Sequence, residues 1–429
     1  MNHYSVSLST LKGTLVPPAS KSHTLRALLF ALMGRGVSIV RNFLESKDTE
    51  TMISAIRAFG ANIRFFPHHL VIEGVCGQLK TPENVIDAGN SGLVLRLIGA
   101  LATLCPGYTV ITGDHSIRYS RPLQPLLEGL RQLQAFAVSS KLDGHAPLIV
   151  KGPLRPGVAR LAGEDSQPVS GLLIATSFLE GFSQVVVSDP GEKPWIDMTL
   201  HWLRKLGAKI EHQDYEHYAI FGNLSYSAFD VTIPSDWSTI AYPIAAALLT
   251  SSEIVLQGID MDDVQGDKKI LDIFAAMGAL IEIDALGRTL IVRKSSSLKG
   301  IKNLDINDFI DALPILAVVS CFAEGETELV NAKIARSKES DRIRAMAVEL
   351  RKMGANIEEH SDGLRIAGAS LKGAHLNSHG DHRVALALAV AALAAEGQSL
   401  IANTDCIAKT YPSFVKDFQR LGVNIQEVI

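Results

Sequence analysis

One short pattern recurs six times along this 429-residue chain, and it limits the fold more than any other feature. It reads AFGANIRFF at 58–66, KLGAKIEHQ at 205–213, AMGALIEID at 276–284, KMGANIEEH at 352–360 and RLGVNIQEV at 420–428, with a degraded copy, QLQAFAVSS, at 132–140. The copies stand roughly 70 residues apart, the mark of a repeated structural unit. Each follows an amphipathic helical stretch such as DTETMISAIRAFG or RIRAMAVELRKMG. The glycine then fits a helix C-cap, where a residue without Cβ enters the left-handed region cheaply. Two alternating runs joined by a turn come next, as in NIEEHSDGLRIAG, so each copy ends helix, strand, turn, strand.

A second set of landmarks lies about half a repeat away: almost wholly apolar helices, each behind a small or polar cluster. The clusters are ASKS (19–22), GNSG (89–92), GEDSQ (163–167), PSDWS (234–238), NDFID (307–311) and HGDHR (379–383). Helices apolar all round are buried, and N-capping explains most of their polar starts. Capping does not explain Lys21 and Arg383, cations at the positive end of a helix dipole. A bound anion would remove that conflict. Six repeats around buried helices predict two domains of three repeats with a site in the cleft between them. The expected domains are 20–235, and 1–19 together with 236–429, the break falling near FDVTIPSDWST. A single continuous solenoid would not enclose all the apolar helices.

Bulk properties narrow the function. The chain is 47% hydrophobic and 20% charged with a formal net charge of −4, a globular composition with no basic block for nucleic acid. Cys76, Cys105, Cys321 and Cys406 stand far apart with no CxxC spacing, as expected of thiols in a reducing compartment. The N-terminus shows no signal-peptide pattern, and the longest apolar runs fall short of the ~18 residues of a membrane span. A cytoplasmic protein without membrane or nucleic-acid partners is expected.

The candidate chemistry is a set of cations with a few carboxylates. Lys21 and Arg26, Arg96 after GNSG, Arg121 in TGDHSIRYSRP, Lys338, Glu339, Asp341 and Arg342 in SKESDR, His382 and Arg383 in DHR, and Lys409 in AKTYP stand near the repeat landmarks. Each has a plain structural explanation alone, such as a first-turn acid or a local ion pair. There is no Walker A loop, GxGxxG, G-x-S-x-G elbow or metal-ligand spacing. Arginine forks and lysine charges suit phosphate and carboxylate groups, and carboxyls among them can act as acid and base. The pattern points to a metal-free transfer between small anionic substrates.

In order, SKS…R, GNSG…R, TGD…RP, DSQ, KPW.D.TL, D.FIDALP, R.KESDR, DHR and AKTYP resemble the 5-enolpyruvylshikimate-3-phosphate synthase (3-phosphoshikimate 1-carboxyvinyltransferase) family over essentially the whole chain. The resemblance implies an α/β fold of two similar domains, each of three βαβαββ units, an inside-out α/β barrel closing on its substrates. It implies a transferase that moves the enolpyruvyl group of phosphoenolpyruvate to the 5-hydroxyl of shikimate 3-phosphate, as a monomer with no metal or organic cofactor. Lys21, Ser22 and Arg26 would bind shikimate 3-phosphate, with Asp165, Ser166, Gln167, Asp311 and Lys338 also at that substrate. Lys21, Gly92, Arg121, Gln167, Arg342, Arg383 and Lys409 would hold phosphoenolpyruvate. Asp311 would accept the hydroxyl proton, and Glu339, with Lys21 as its rival, would protonate the methylene carbon.

The chain departs from the family pattern where Asp165 and Glu192 replace usual serines and Ile334 a usual polar residue. Two carboxylates beside a phosphate repel it unless protonated or turned away. The alternatives are an enolpyruvyl transferase for another hydroxylated acceptor and a silent anion-binding homologue. The related UDP-N-acetylglucosamine enzyme carries a Lys-Asn pair at its start and a loop cysteine; this chain has SKS and no cysteine in TGDHSIRYSRP. Leu93 and Leu97 stand where threonine and proline are common, beside the pocket that glyphosate occupies in the family. Glyphosate is therefore expected to inhibit this protein more weakly than typical members; inhibition at the low concentrations of sensitive members would refute this.

Overall fold

The computed structural model describes residues 2–295 and 297–428. Its contacts separate two units, Ala19–Ile233 on one side and Met1–Pro18 with Pro234–Ile429 on the other. The α/β architecture expected from the repeats is present in each unit as three four-stranded sheets. The sheets remain separate, and none closes into a hydrogen-bonded barrel among the described residues.

One repeat in full shows the plan. Ile86–Asp87 leads through the buried Gly92–Leu101 helix to the parallel strand Tyr108–Thr112. The Gln124–Gln132 helix follows, and the hairpin Phe136–Ser139 and Leu148–Lys151 returns antiparallel. This is a βαβαββ unit with its strands in the spatial order first, second, fourth, third. Three repeats are completed by distant strands, one of them by Lys12–Leu15, which pairs parallel to Glu253–Gln257 as its first strand. Asp230–Thr232 supplies the first strand beside Val37–Arg41, and His3–Ser7 lies between Gln398–Ala402 and Ile425–Val428 as the fourth strand of the last repeat. Each unit is thus tied to itself end to end.

The six apolar helices form the interior. Lys21–Met33, Gly92–Leu101, Ser166–Ser177, Trp237–Leu249, Leu313–Phe322 and His382–Ala394 are buried over nearly their whole lengths. Ser20, Ser91, Asp165, Asp236 and Asp381 cap five of them through their side chains. The NDFID start differs. Residues Asn307–Ala312 form a short 3-10 turn, bent at Phe309, and the helix proper begins at Leu313 with proline next to it. The four cysteines are free thiols, and no described helix is long and apolar enough to cross a membrane.

The repeat glycines do what the pattern requires. Gly60, Gly207, Gly278, Gly354 and Gly422 have φ between 93° and 111°, whereas the degraded copy places exposed Gln134 at φ 65°. A side chain in that region costs roughly 1–2 kcal/mol, and glycine's greater chain entropy returns part of it. Gln134→Gly is therefore expected to stabilise the protein by about 0.5–1 kcal/mol in urea unfolding. A loss of stability would show that Gln134 is held there by contacts instead.

Candidate active site

Within Ala19–Ile233, the polar start of the Lys21–Met33 helix gathers the first charged groups. Lys21 opens the helix, and its Nζ lies 3.7 Å from Oδ2 of Asp48, a buried carboxylate in the first turn of Lys47–Ala58. An internal acid thus meets the cation that the helix dipole disfavours. Half-buried Ser22 follows, and its carbonyl accepts from Arg26 Nη1 at 3.3 Å.

Arg26 is buried, and its remaining donors reach the Thr199 hydroxyl at 2.9 and 3.1 Å and the Trp195 carbonyl at 3.3 Å. Burial lowers its pKa to about 10. Neutral oxygens satisfy this guanidinium without cancelling its charge, which leaves a standing attraction for an anion.

A second cationic centre surrounds Gly92. Arg96 donates to Gln167 Oε1 at 3.0 Å and to the Pro122 carbonyl at 2.9 Å, and its Nη2 stands 3.1 Å from Asp165 Oδ2. A Cβ on Gly92 would lie 2.7 Å from Arg96 Nη1 and 2.9 Å from Arg121 Nη1, so this backbone is pressed between two guanidinium groups. Asp165 caps the Ser166–Ser177 helix by accepting from the Gln167 amide at 3.0 Å. Glu192, at φ 49°, accepts from the Ser166 amide at 3.1 Å and its hydroxyl at 3.2 Å.

In the other unit Arg342 is the hub. This buried guanidinium bonds Asp311 Oδ1 at 2.6 Å, Glu339 Oε2 at 2.8 Å and Asp381 Oδ2 at 2.8 Å. Lys409 Nζ meets the other oxygen of Glu339 at 2.7 Å, and Arg383 Nη2 reaches Asp311 Oδ2 at 3.4 Å. Buried Lys338 adds a further positive field on Asp311. Burial pushes the Asp311 carboxyl up, but Arg342, Arg383 and Lys338 outweigh it and hold it well below the usual carboxylate range. Asp311 is ionised, and it gains basicity only when those cations are neutralised.

Glu339, Asp381 and His382 also bring ligand-capable atoms within 4.8 Å of one another. Glu339 and Asp381 already bind the Arg342 guanidinium, so a cation is in place there without a metal.

A sequence model of the family described as EPSP synthase (3-phosphoshikimate 1-carboxyvinyltransferase) matches residues 7–418. The chain belongs to that family. It is 42% identical over 417 residues to the 3-phosphoshikimate 1-carboxyvinyltransferase of Acetivibrio thermocellus, covering 97% of both chains. The enzyme of that name from Methanocaldococcus jannaschii is 42% identical over 423 residues, again with 97% of both covered. Among solved structures, an EPSP synthase from Acinetobacter baumannii superposes with a TM-score of 0.85 at 27% identity over 100% of each chain. The enolpyruvyl transferase NikO from Streptomyces tendae shares the fold, with a TM-score of 0.81 at 20% identity over 100% of this chain and 99% of its own.

In this EPSP synthase family member the structure adds residues that the motifs did not assign. Asp48 is a first-turn acid with an ordinary capping explanation, so nothing in its local sequence marks it as the partner of Lys21. Asp381 was visible within DHR only as an N-cap, yet it is also the third carboxylate on Arg342. Arg96, quoted without a role, is what orients Gln167.

Gly92 gives the sharpest test of this geometry. Gly92→Ala must displace both guanidinium groups, and a misplacement of about 1 Å in such a site costs up to ~100-fold. The expected result is a fall in kcat/KM of about 10- to 100-fold with an unchanged circular dichroism spectrum. Wild-type kinetics would show that Arg96 and Arg121 do not need their observed positions.

Proposed function

We propose that this protein transfers the enolpyruvyl group of phosphoenolpyruvate to the 5-hydroxyl of shikimate 3-phosphate and releases phosphate, a step of aromatic biosynthesis. One observation carries the reading: two carboxyls, Asp311 and Glu339, are held on a single buried guanidinium with a second arginine and a lysine beside them. Mere anion binding would not need an acid-base pair placed among its cations.

Roles follow residue by residue. Arg342, Arg383 and Lys409, with Arg121 and the Gly92 backbone, hold the phosphate and carboxylate of phosphoenolpyruvate. Lys21, Ser22 and Arg26 bind shikimate 3-phosphate, and Lys21 also touches phosphoenolpyruvate. Asp165, Ser166 and Lys338 stand at the acceptor, and Gln167, fixed by Arg96, contacts both substrates. No role calls for a metal or organic cofactor. The family resemblance further supports a cytoplasmic monomer, which sedimentation equilibrium would overturn by returning a multiple of the 46.2 kDa chain mass.

The chemistry uses the low proton affinity of Asp311. Glu339, which takes up a proton from solvent once phosphoenolpyruvate neutralises Arg342 and Lys409, delivers that proton to the methylene carbon, and positive character develops at the adjacent carbon. The 5-hydroxyl attacks that carbon while Asp311 takes its proton, giving a tetrahedral intermediate. Phosphate then leaves as a methyl proton returns to the protein, so one C–O bond forms and one breaks with no net redox change. Anionic phosphoenolpyruvate neutralises Arg342 and Arg383, so Asp311 becomes a competent base only with substrate present.

Asp311→Asn and Glu339→Gln should still fold, with lowered melting temperatures because each leaves the buried Arg342 short of a charged partner, and lose about 10²- to 10⁴-fold in kcat. The assay is phosphate release from phosphoenolpyruvate with shikimate 3-phosphate, repeated with other hydroxylated acceptors. Near-normal turnover in either variant overturns that residue's role, and preference for another acceptor overturns the substrate assignment.

A further inference from the structure

Close to Asp311 is a carboxyl that the reaction above does not use. Asp267 sits on the Gly266–Lys269 turn, which packs against the Trp237–Leu249 helix and the Asn307–Ala312 turn. It is 2% exposed, and neither of its oxygens makes a hydrogen bond among the described residues. The Ser238 hydroxyl faces it and favours its charged form, although neither side closes a hydrogen bond of full geometry.

The charged groups acting on it come from three sides. Asp236, the cap of the Trp237–Leu249 helix, and Asp311 are both carboxylates, and Arg383 from the His382–Ala394 helix is the opposing cation. Tyr242, on the same helix as Ser238, is buried, and burial holds its phenol protonated. Asp308 and Asp272 on the adjoining elements are exposed, Lys269 pairs with Asp272, and Lys268 donates to the Met261 and Asp263 carbonyls. Arg383 is itself 2% exposed, and its Nε and Nη1 make no hydrogen bond among the described residues.

A buried carboxylate without hydrogen bonds beside two others is a costly arrangement, and a proton relieves it. Burial raises Asp267 to about 7, with Asp311 and Asp236 acting in the same direction, and Arg383 and, less strongly, the Ser238 hydroxyl against them. The balance therefore hangs on Arg383. An anion bound to that guanidinium cancels its pull and raises the proton affinity of Asp267.

We propose that Asp267 takes up a proton from solvent when phosphoenolpyruvate binds at Arg383, so that substrate binding is proton-linked through a carboxyl that acts only through that arginine. The inference rests on the reading of Arg383 as a phosphoenolpyruvate ligand. The only bond formed is the O–H of Asp267, and the added proton offsets part of the negative charge that the ligand brings in.

Calorimetric titration of the full chain with phosphoenolpyruvate, in buffers of different ionisation enthalpy, counts the protons taken up. The acceptor is 5-deoxyshikimate 3-phosphate, which lacks the attacking hydroxyl and prevents turnover. Protons exchanged by the ligand itself are common to wild type and Asp267→Asn, so the difference between them reads Asp267. That difference should approach about half a proton at pH 7 and about one at pH 8, and vanish near pH 5.5. Equal counts at pH 7 and 8 overturn the linkage, whereas absence of binding in both proteins overturns the assignment of Arg383 instead.

A ligand-free readout has its own sign. A carboxyl whose folded pKa is raised lets the folded state bind more protons than the unfolded chain between about pH 4 and 7. Wild-type stability is therefore lost across that window relative to Asp267→Asn, and the variant's advantage in melting temperature should grow from pH 5 to pH 8. An advantage that does not change with pH overturns the protonation of Asp267. If the variant does not fold, difference infrared spectroscopy of the wild type at pH 8 decides. A protonated-carboxyl band should appear on adding the two ligands, and its absence overturns the proposal.

Discussion

The Arg342 guanidinium is the interaction around which its unit is arranged. Its three carboxylates come from separate stretches of chain: Asp311 from the Asn307–Ala312 turn, Glu339 from just before the Arg342–Lys352 helix, and Asp381 from the cap of His382–Ala394. A buried ion costs several kcal/mol unless paired, and removing one partner of such a pair costs about 3–5 kcal/mol. Asp311, Glu339 and Asp381 bring three negative charges, and Arg342, Arg383 and Lys409 bring three positive ones. The cluster is balanced before any ligand arrives. An incoming anion must therefore draw on further positive charge, and Lys338 and protons from solvent are the sources at hand.

The repeats explain how these groups come to one place. Each unit consists of the same βαβαββ element three times, and each element begins a buried helix at a corresponding point. Polar starts are therefore gathered within each unit by the architecture, while the apolar remainder of every helix fills the interior. Completion by distant strands fixes the ends: Asp230–Thr232 in one unit and His3–Ser7 in the other remove what would be open places in a four-stranded sheet.

Much of this was legible because it is periodic. The glycines at φ near 100°, the apolar helices and their capping residues all follow local rules that a single sequence displays. NDFID does stand directly before an apolar helix, which begins at Leu313 and Pro314, but the 3-10 form of Asn307–Ala312 and its bend at Phe309 leave no separate signature in the sequence. Of the candidate site, the cations and the carboxyls Asp311 and Glu339 stand in recognisable motifs, whereas the acids buried around them do not. Asp48, Asp267 and Glu349 look like ordinary first-turn or surface acids in the sequence. Their burial is set by what packs over them from remote segments, which no local pattern encodes.

Glu349 shows how such a hidden residue holds the site together. It lies two turns along the Arg342–Lys352 helix from Arg342, a separation that keeps both on one face. Its buried carboxylate accepts from the Asn377 amide at 2.9 Å and from Lys352 at 2.7 Å, and it meets His379 Nε2 at 2.9 Å. His379 and Gly380 are consecutive residues with positive φ, a conformation uncommon outside glycine, and the Glu349 contact helps to hold the histidine there. The Ser378 hydroxyl adds a bond to the Asn403 carbonyl at 2.8 Å. The helix is thus tied to the same loop twice, through Glu349 at Asn377 and His379 and through Arg342 at Asp381. Two attachments along a rigid helix fix both the position and the direction of the segment that starts His382–Ala394. Arg383 consequently meets Asp311 from a helix whose start is set by Arg342 and Glu349 together, although the two arginines are 41 positions apart in the chain.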